Sequence, residues 1–286
     1  MKLLSIFYVL IYLLMSGCSI GIKDTSSSEK ITLTNNNSAQ RIITLTSLTT
    51  DIVKKLNPQK LVGIHGSSLF KEDELLTGIT KVSEGRNPPN LEKIIELKPD
   101  LVIGAKGFHD KTLKSIQSLG IKTISTTVRN WSDLEDLFVN LAKLTGGNSS
   151  DFKTNLPYCF TPSISNEKEV LVLVSVKPLL APNSNSWAGS MLERFDLVNL
   201  TSNIDSKGPF KGYVNLSEEW LVKENPRNLI LIDFNNSDIT QFSKLSFWNR
   251  LEAVSENNLS ILSYYGFINP GSLRSIDNAC KALYEI

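Results

Sequence analysis

The stretch "NLEKIIELKPDLVIGA", residues 90–105, decides the fold prediction. Asn90 is a favourable first residue for a helix, because its side-chain oxygen can accept a hydrogen bond from a free backbone N–H of the first turn. A short amphipathic helix follows, Pro99 ends it, and DLVIGA has the apolar run of a buried strand. The stretch therefore predicts a helix that leads directly into a buried strand.

Short β-rich runs alternate with helical patterns on both sides of this stretch. RIITLT, LVGIHG and DLVIGA belong to a first series, and the alternation restarts at KEVLVLVS after a break near residues 145–167. This spacing predicts β-α-β units and largely parallel sheets. We expect an α/β fold of two similar lobes, 41–130 and 168–286, joined by a connecting helix and linker at 131–167, with a ligand cleft between them.

A second segment, SEEWLVKENPRNLILID at 217–233, repeats the pattern of the first. Both segments have a capping residue, a proline nine positions later and a buried strand. Each also has a glutamate two positions after the cap, Glu92 and Glu219, and a large side chain four positions before the cap, Arg86 and Tyr213. Either acid alone is explained by its attraction to the positive end of the helix dipole. Because the cap, the acid, the proline and the strand occur at the same spacing in both segments, the two halves of the chain are expected to be built alike.

The first residues have the pattern of an export signal. Lys2 precedes the apolar run LLSIFYVLIYLL, which is too short to span a hydrocarbon core of about 30 Å. MSG before Cys18 resembles a bacterial lipobox, whose cysteine is lipidated. We expect a signal peptide and lipobox at 1–18, a flexible tether at 19–40, and an extracytoplasmic lipoprotein anchored to a membrane through Cys18; an ordinary cleaved signal peptide is the alternative.

Composition and motifs exclude several classes of function. With a formal net charge of +1 over 286 residues, the chain lacks the clustered basic charge that nucleic-acid binding requires. It contains no GxSxG, GxxxxGK[ST], HExxH or paired CxxC motif, and its only histidines are His65 and His109. We expect no catalytic residues, no multi-histidine metal site and no cofactor, and therefore a protein that captures a ligand rather than an enzyme.

Two cysteines remain beyond the lipobox, Cys159 and Cys280. An exported compartment permits a disulfide between them. Two buried thiols that pack as small apolar side chains are the other interpretation, and the sequence leaves both open.

The chain resembles the periplasmic binding proteins of bacterial ABC importers for iron-siderophore complexes, haem and cobalamin. The residues that carry the resemblance are RIITLTSLTTDIVKKLNPQKLVGIHG, GRNPPNLEKIIELKPDLVIGA, and the end of the chain from WNRLEAV to LYEI. It implies two α/β lobes joined by one long rigid helix, a partner permease with its ATPase, and a monomer. It also implies that Glu92 and Glu219 contact arginines of the permease. Pro157 and Pro162 predict that the connecting helix ends early.

The resemblance also suggests a ligand class. In siderophore-type members, a GR-x-x-PNLE stretch places an arginine in the cleft, which here is Arg86, and an aromatic of the next loop corresponds to Phe108. The guanidinium donors suit the anionic oxygens that chelate ferric iron. The second lobe has aromatic residues in loops expected at the ligand side of the sheet: Trp187, Tyr213, Tyr264, Tyr265 and Phe267.

These residues favour a ferric siderophore, whose iron enters only as part of the bound chelate. Cobalamin-type members have an acid and an arginine where this chain has Ser263 and Phe267. Haem-type members use a tyrosine or histidine ligand, a role open to His65, His109 or Tyr265. Cobalamin, haem, or an exported two-lobed protein with a non-transport role are the alternatives.

Overall fold

The computed structural model describes residues 38–85, 87–161, 167–206, 211–234 and 239–286. The predicted signal segment, Cys18, nearly all of the predicted tether, Arg86 and Pro162 lie outside these residues. None of the helices within these ranges is both long enough and apolar enough to cross a membrane.

The first lobe is built on five parallel strands. Its central strands are apolar and buried, whereas the two edge strands are largely exposed, as expected when helices cover both faces of a parallel sheet. The strands lie in the order β3-β2-β1-β4-β5. Their bounds are β1 Ile42–Thr44, β2 Leu61–Gly66, β3 Thr80–Glu84, β4 Leu101–Ala105 and β5 Lys122–Thr126.

The second lobe contains a four-stranded parallel sheet and a small antiparallel one. In the parallel sheet the order is β12-β11-β6-β9, and in the antiparallel sheet it is β10-β8-β7. The prediction of two α/β lobes with largely parallel sheets is confirmed. The strand bounds are β6 Glu169–Leu173, β7 Ser175–Val176, β8 Leu179–Pro182, β9 Val198–Asn199, β10 Tyr213–Asn215, β11 Leu229–Asp233 and β12 Leu259–Ser263.

Both parallel sheets share one central order, since β2-β1-β4-β5 in the first lobe corresponds to β9-β6-β11-β12 in the second. Helices connect these strands, and short 3-10 turns supplement them. The helices are α1 Ser47–Leu56, α2 Leu91–Glu96, α3 Asp110–Ser118, α4 Trp131–Thr145, α5 Asp151–Thr154, α6 Trp187–Arg194, α7 Glu218–Glu224, α8 Ile239–Phe242, α9 Glu252–Ser255, α10 Tyr264–Phe267 and α11 Leu273–Tyr284.

The helix α4 connects the lobes. Asn130 caps it by accepting a hydrogen bond from the Asp133 N–H at 2.8 Å, and Gly146 ends it with a φ of +68° that suits glycine. The Trp131 N–H at its start donates to the Ser190 hydroxyl of α6 at 3.0 Å, which ties it to the second lobe. The connection continues as α5 and a 3-10 turn rather than as one long helix.

A buried charge cluster forms a second tie between the lobes. The carboxylate of Asp51 in α1 accepts a hydrogen bond from the Leu273 N–H at the start of α11, at 2.8 Å. Lys54 lies 2.9 Å from the same carboxylate and also binds Asp73. Burial lowers the pKa of Lys54, but the hydrogen bond to Asp73 and the charge of Asp51 outweigh this effect and raise the pKa above its ordinary value. The first helix of one lobe therefore holds the last helix of the other.

Cys159 and Cys280 form a disulfide in the structure, with their Cα atoms 5.0 Å apart. Both are buried. Cys159 lies in the connection after α5, and Cys280 lies in α11. The bond therefore joins the connection between the lobes to the last helix of the chain.

Candidate functional site

The strand order locates the candidate site. In an open parallel sheet, ligands bind outside the carboxyl ends of the strands, where the order reverses direction. That point lies between β1 and β4 in the first lobe and between β6 and β11 in the second. The residues that follow these four strands are therefore the candidates.

Two histidines lie along the carboxyl edge of the first sheet, one near the end of the neighbouring strand β2 and one after β4. His65, near the end of β2, has its Nδ1 2.8 Å from the Ser83 hydroxyl, and the Nδ1 of His109, after β4, accepts a hydrogen bond from the Ala105 N–H at 3.0 Å. Burial lowers the pKa of both, and the nearby His65 lowers that of His109 further. Both imidazoles are therefore neutral near pH 7. Across the described part of the chain, no group of three or more histidine, cysteine, aspartate or glutamate side chains is arranged to hold a metal ion.

Phe108 follows β4 in a turn that Gly107 makes with a φ of +82°. Its side chain is 90% exposed, so a large apolar surface is open to solvent at this point. Its position at the reversal point of the first sheet suits the predicted role as an apolar wall.

The second lobe presents a group of aromatic rings at the corresponding edge. Phe234, directly after β11, stacks on Tyr264 with ring centres 4.6 Å apart, and Tyr264 meets Tyr265 edge to face at 5.3 Å. Phe234 and Tyr265 are exposed. Tyr213 is more deeply placed, and burial together with the nearby Tyr264 raises its pKa. The structure thus brings Tyr213, Tyr264 and Tyr265 together and adds Phe234, which the sequence analysis missed although it directly follows a buried strand.

A pocket of about 140 Å³ opens beside this aromatic group. Its lining comes from the chain after β6 and from Phe234, Gln241 and Phe242, and the residues after β6 are Val174, Ser175, Val176 and Lys177. Sites for whole small molecules usually measure roughly 300–1,000 Å³. The pocket is therefore suited to one arm of a ligand, and the exposed residue Lys177 is part of its lining.

Trp187 and Phe267 were predicted to line the cleft, but both side chains are buried, so these two predictions are wrong. Trp187 is 4% exposed, its indole N–H donates to the Gly266 carbonyl at 2.8 Å, and its ring stacks on Trp131 at 6.2 Å. Phe267 is fully buried. The indole of Trp187 packs against the start of α4 and binds the turn at Gly266, which directly follows Tyr264 and Tyr265, while Phe267 lies in the core.

Comparisons with known proteins agree with this geometry. A family model described as "Periplasmic binding protein" matches residues 42–153, the first lobe and the start of the connection. The predicted resemblance to the periplasmic binding proteins is confirmed. This family consists of transport components rather than enzymes, which confirms the prediction of a non-enzymatic protein.

Individual members of the group extend the likeness over the whole chain. An iron-uptake system-binding protein of Bacillus subtilis is 27% identical over 320 aligned positions, which cover 100% of this chain and 98% of that protein. An uncharacterised ABC transporter substrate-binding lipoprotein of the same organism is 22% identical over 82% of this chain and 76% of its own length. The solved structure of a possible iron-binding, periplasmic solute-binding protein from Staphylococcus epidermidis shares the fold, with a TM-score of 0.72 at 23% identity over 87% of this chain and 98% of that chain.

The two glutamates predicted to dock on a permease lie on corresponding helices of this binding-protein fold. Glu92 is exposed in the first turn of α2, and Glu219 is exposed in the first turn of α7. Hydrogen bonds from its own backbone N–H and from Ser217 lower the pKa of Glu219. Arg86 and Cys18 lie outside the described residues, so their predicted roles remain proposals.

Proposed function

We propose that this protein is the substrate-binding component of an ABC importer that captures a ferric siderophore between its lobes. The observation that carries the proposal is the pair of exposed aromatic surfaces, Phe108 on one lobe and Phe234 with its tyrosine neighbours on the other, at the reversal points of the two parallel sheets. The full-length likeness to an iron-uptake system-binding protein supports iron as the cargo.

The charged residues around the proposed site support an anionic chelate as the ligand. His65 and His109 are neutral near pH 7, so they contribute no positive charge at the site. Positive charge instead comes from Lys177 in the lining of the pocket and, as we propose, from Arg86 after β3. Guanidinium and ammonium donors bind the oxygens of hydroxamate, catecholate or carboxylate groups, and flat aromatic rings pack against the chelate arms.

Haem is the second candidate, because a specific observation favours it. A neutral imidazole is the form that ligates iron, and two such groups lie near each other at the open edge of the first sheet. Cobalamin has no comparable support, since Phe267 is fully buried and Ser263 carries no charge.

We further propose an extracytoplasmic lipoprotein held at a membrane through lipid on Cys18. Likeness to substrate-binding lipoproteins and the lipobox-like MSGC support this location. The proposed partners are a permease, which Glu92 and Glu219 contact, and its ATPase; the binding protein itself acts as a monomer. A Cys18→Ala variant should leave the membrane fraction and appear in the medium or periplasm.

A titration tests the ligand. Ferric hydroxamate, catecholate and carboxylate siderophores, haemin and cyanocobalamin are added in turn while tryptophan fluorescence is recorded. We expect saturable quenching by one siderophore class and a roughly 10- to 100-fold weaker affinity in Arg86→Ala, the effect of losing a charged hydrogen bond. Arg227→Ala is the control, because Arg227 is exposed at the opposite, amino end of β11.

Two results would contradict the siderophore proposal. One is the absence of any saturable response to the ferric chelates. The other is a response to haemin alone that disappears in His65→Ala or His109→Ala, which would establish the haem alternative instead.

A further inference from the structure

The helices α2 and α7 are the same structural unit, present once in each lobe. Asn90 and Ser217 cap them, each by accepting a hydrogen bond from the backbone N–H three positions later, at 3.0 and 3.1 Å. Eight positions after each cap, Lys98 and Asn225 both adopt a φ of 45°. A buried proline and a central strand follow in both lobes. Corresponding positions of the two helices can therefore be compared one by one.

The comparison shows an apolar side chain exposed at the same position of each helix. Four positions after the cap, Ile94 and Leu221 are fully buried and fix the helix to its lobe. Five positions after the cap, Ile95 is 46% exposed and Val222 is 38% exposed. A single exposed apolar side chain needs no explanation. The recurrence of such a side chain at the same position in both lobes does need an explanation.

These apolar side chains lie beside the exposed glutamates. Glu92 precedes Ile95 by three positions, and Glu219 precedes Val222 by three, so each pair shares one face of its helix. We call the two pairs, Glu92 with Ile95 and Glu219 with Val222, the docking faces. Leu91, also exposed, widens the face of the first lobe.

The charges of α2 and α7 indicate what kind of partner they bind. Within α2 the charged residues are Glu92, Lys93 and Glu96, and within α7 they are Glu218, Glu219, Lys223 and Glu224, so both helices are acidic overall. An exposed ion pair alone binds weakly, because water competes for both charges. Apolar contact around the pair excludes that water and strengthens the attraction.

We propose that Ile95 and Val222 are the apolar contacts of two equivalent docking faces, each of which takes a basic side chain flanked by apolar surface. The partner presents this site twice, because the binding protein presents the complementary face twice. This inference rests on the proposed function, in which that partner is the two-fold permease of the importer. It adds that the permease recognises an acid and an apolar side chain together on each lobe.

Uptake by cells that lack the chromosomal gene tests the inference. The full-length chain and its variants are supplied on a plasmid, and radioactive iron is supplied as the ferric chelate that quenches the wild-type protein most strongly. We expect Ile95→Ser and Val222→Ser each to lower uptake about three- to fivefold and the double variant to lower it at least about tenfold. Ile95→Arg, which opposes a basic site, should lower uptake more than Ile95→Ser. The chelate affinity of every variant should equal that of the wild type.

Matched controls remove an exposed apolar side chain elsewhere on each lobe. Leu119, 57% exposed after α3, and Val198, 44% exposed in β9, are each changed to serine and should leave uptake unchanged. Wild-type uptake in the double variant would overturn the inference, and so would a parallel loss of chelate affinity. If the wild-type gene itself restores no uptake, the proposed importer function fails as well, so the two failures are distinguishable.

Discussion

Reduction of the Cys159–Cys280 disulfide is expected to destabilise the protein substantially. The bond joins residues separated by 121 positions in the chain, so it closes a loop that includes most of the second lobe. Breaking it gives the unfolded chain many more conformations while the folded structure keeps its other contacts. The perturbation therefore acts mainly on the unfolded state.

The length of the closed loop sets the magnitude of the expected loss in stability. For a separation of 121 residues, the chain-entropy relation gives about 4.9 kcal/mol at 25 °C as the contribution of the crosslink. Measured disulfides commonly contribute about 2–4 kcal/mol. A loss in this range should lower the melting temperature of a protein of this size by roughly 5–15 °C.

Denaturant titration of oxidised and reduced wild-type protein measures the difference. Because both sulfurs are buried, the protein is reduced in denaturant and then refolded in the presence of reductant. The Cys159→Ala, Cys280→Ala double variant should be less stable than the reduced wild type, since it also loses the packing of two buried sulfurs. Equal unfolding midpoints for oxidised and reduced protein would refute the reasoning, as would two titratable thiols in an unreduced Cys18→Ala background.

Three further changes probe other parts of the structure. Lys54→Met should lower the free energy of unfolding by about 3 kcal/mol in denaturant titration, because it leaves the buried Asp51 carboxylate without its cation. Since the folded pKa of Lys54 is raised, its contribution is present below the ordinary lysine pKa of 10.5 and is lost as the pH rises through the folded value. Gly266→Ala should cost at least about 2 kcal/mol in thermal unfolding, because Gly266 has a φ of +98° and a Cβ there would lie 1.9 Å from the Ser275 carbonyl oxygen. Phe234→Ala should weaken chelate affinity about three- to tenfold in fluorescence titration, whereas Phe234→Tyr should retain it.

Local signals in the sequence predicted the fold well. The caps at Asn90 and Ser217, the prolines that follow and the apolar strands are determined by neighbouring residues, and the structure forms each of them. The parallel sheets follow from the alternation of strands and helices. The antiparallel strand β10 was not predicted, because its pairing with β8 depends on a residue some thirty positions away rather than on a local pattern.

The candidate site was less predictable, because burial depends on tertiary partners. Trp187 follows the polar stretch NSNS at the start of α6, and only the fold brings it to the Gly266 carbonyl and away from solvent. Phe234 continues an apolar strand, yet it lies beyond the end of that strand, where it is exposed and stacks on Tyr264. Spacing along the chain fixes neither outcome, since each depends on which distant residues the fold brings beside the side chain.

The ties between the lobes bear on how the ligand is captured. The helix α4 binds the second lobe at its start, the Asp51 carboxylate of the first lobe holds the start of α11, and the disulfide joins α11 to the connection. A large hinge motion would have to break the buried bond between Asp51 and the Leu273 N–H. We therefore propose that affinity comes from aromatic surfaces that are already in place before the ligand arrives, which lowers the entropic cost of binding. Because the same ties restrict movement between the lobes, we expect α2 and α7 to keep their separation, so that a partner with two equivalent sites could engage both docking faces at once.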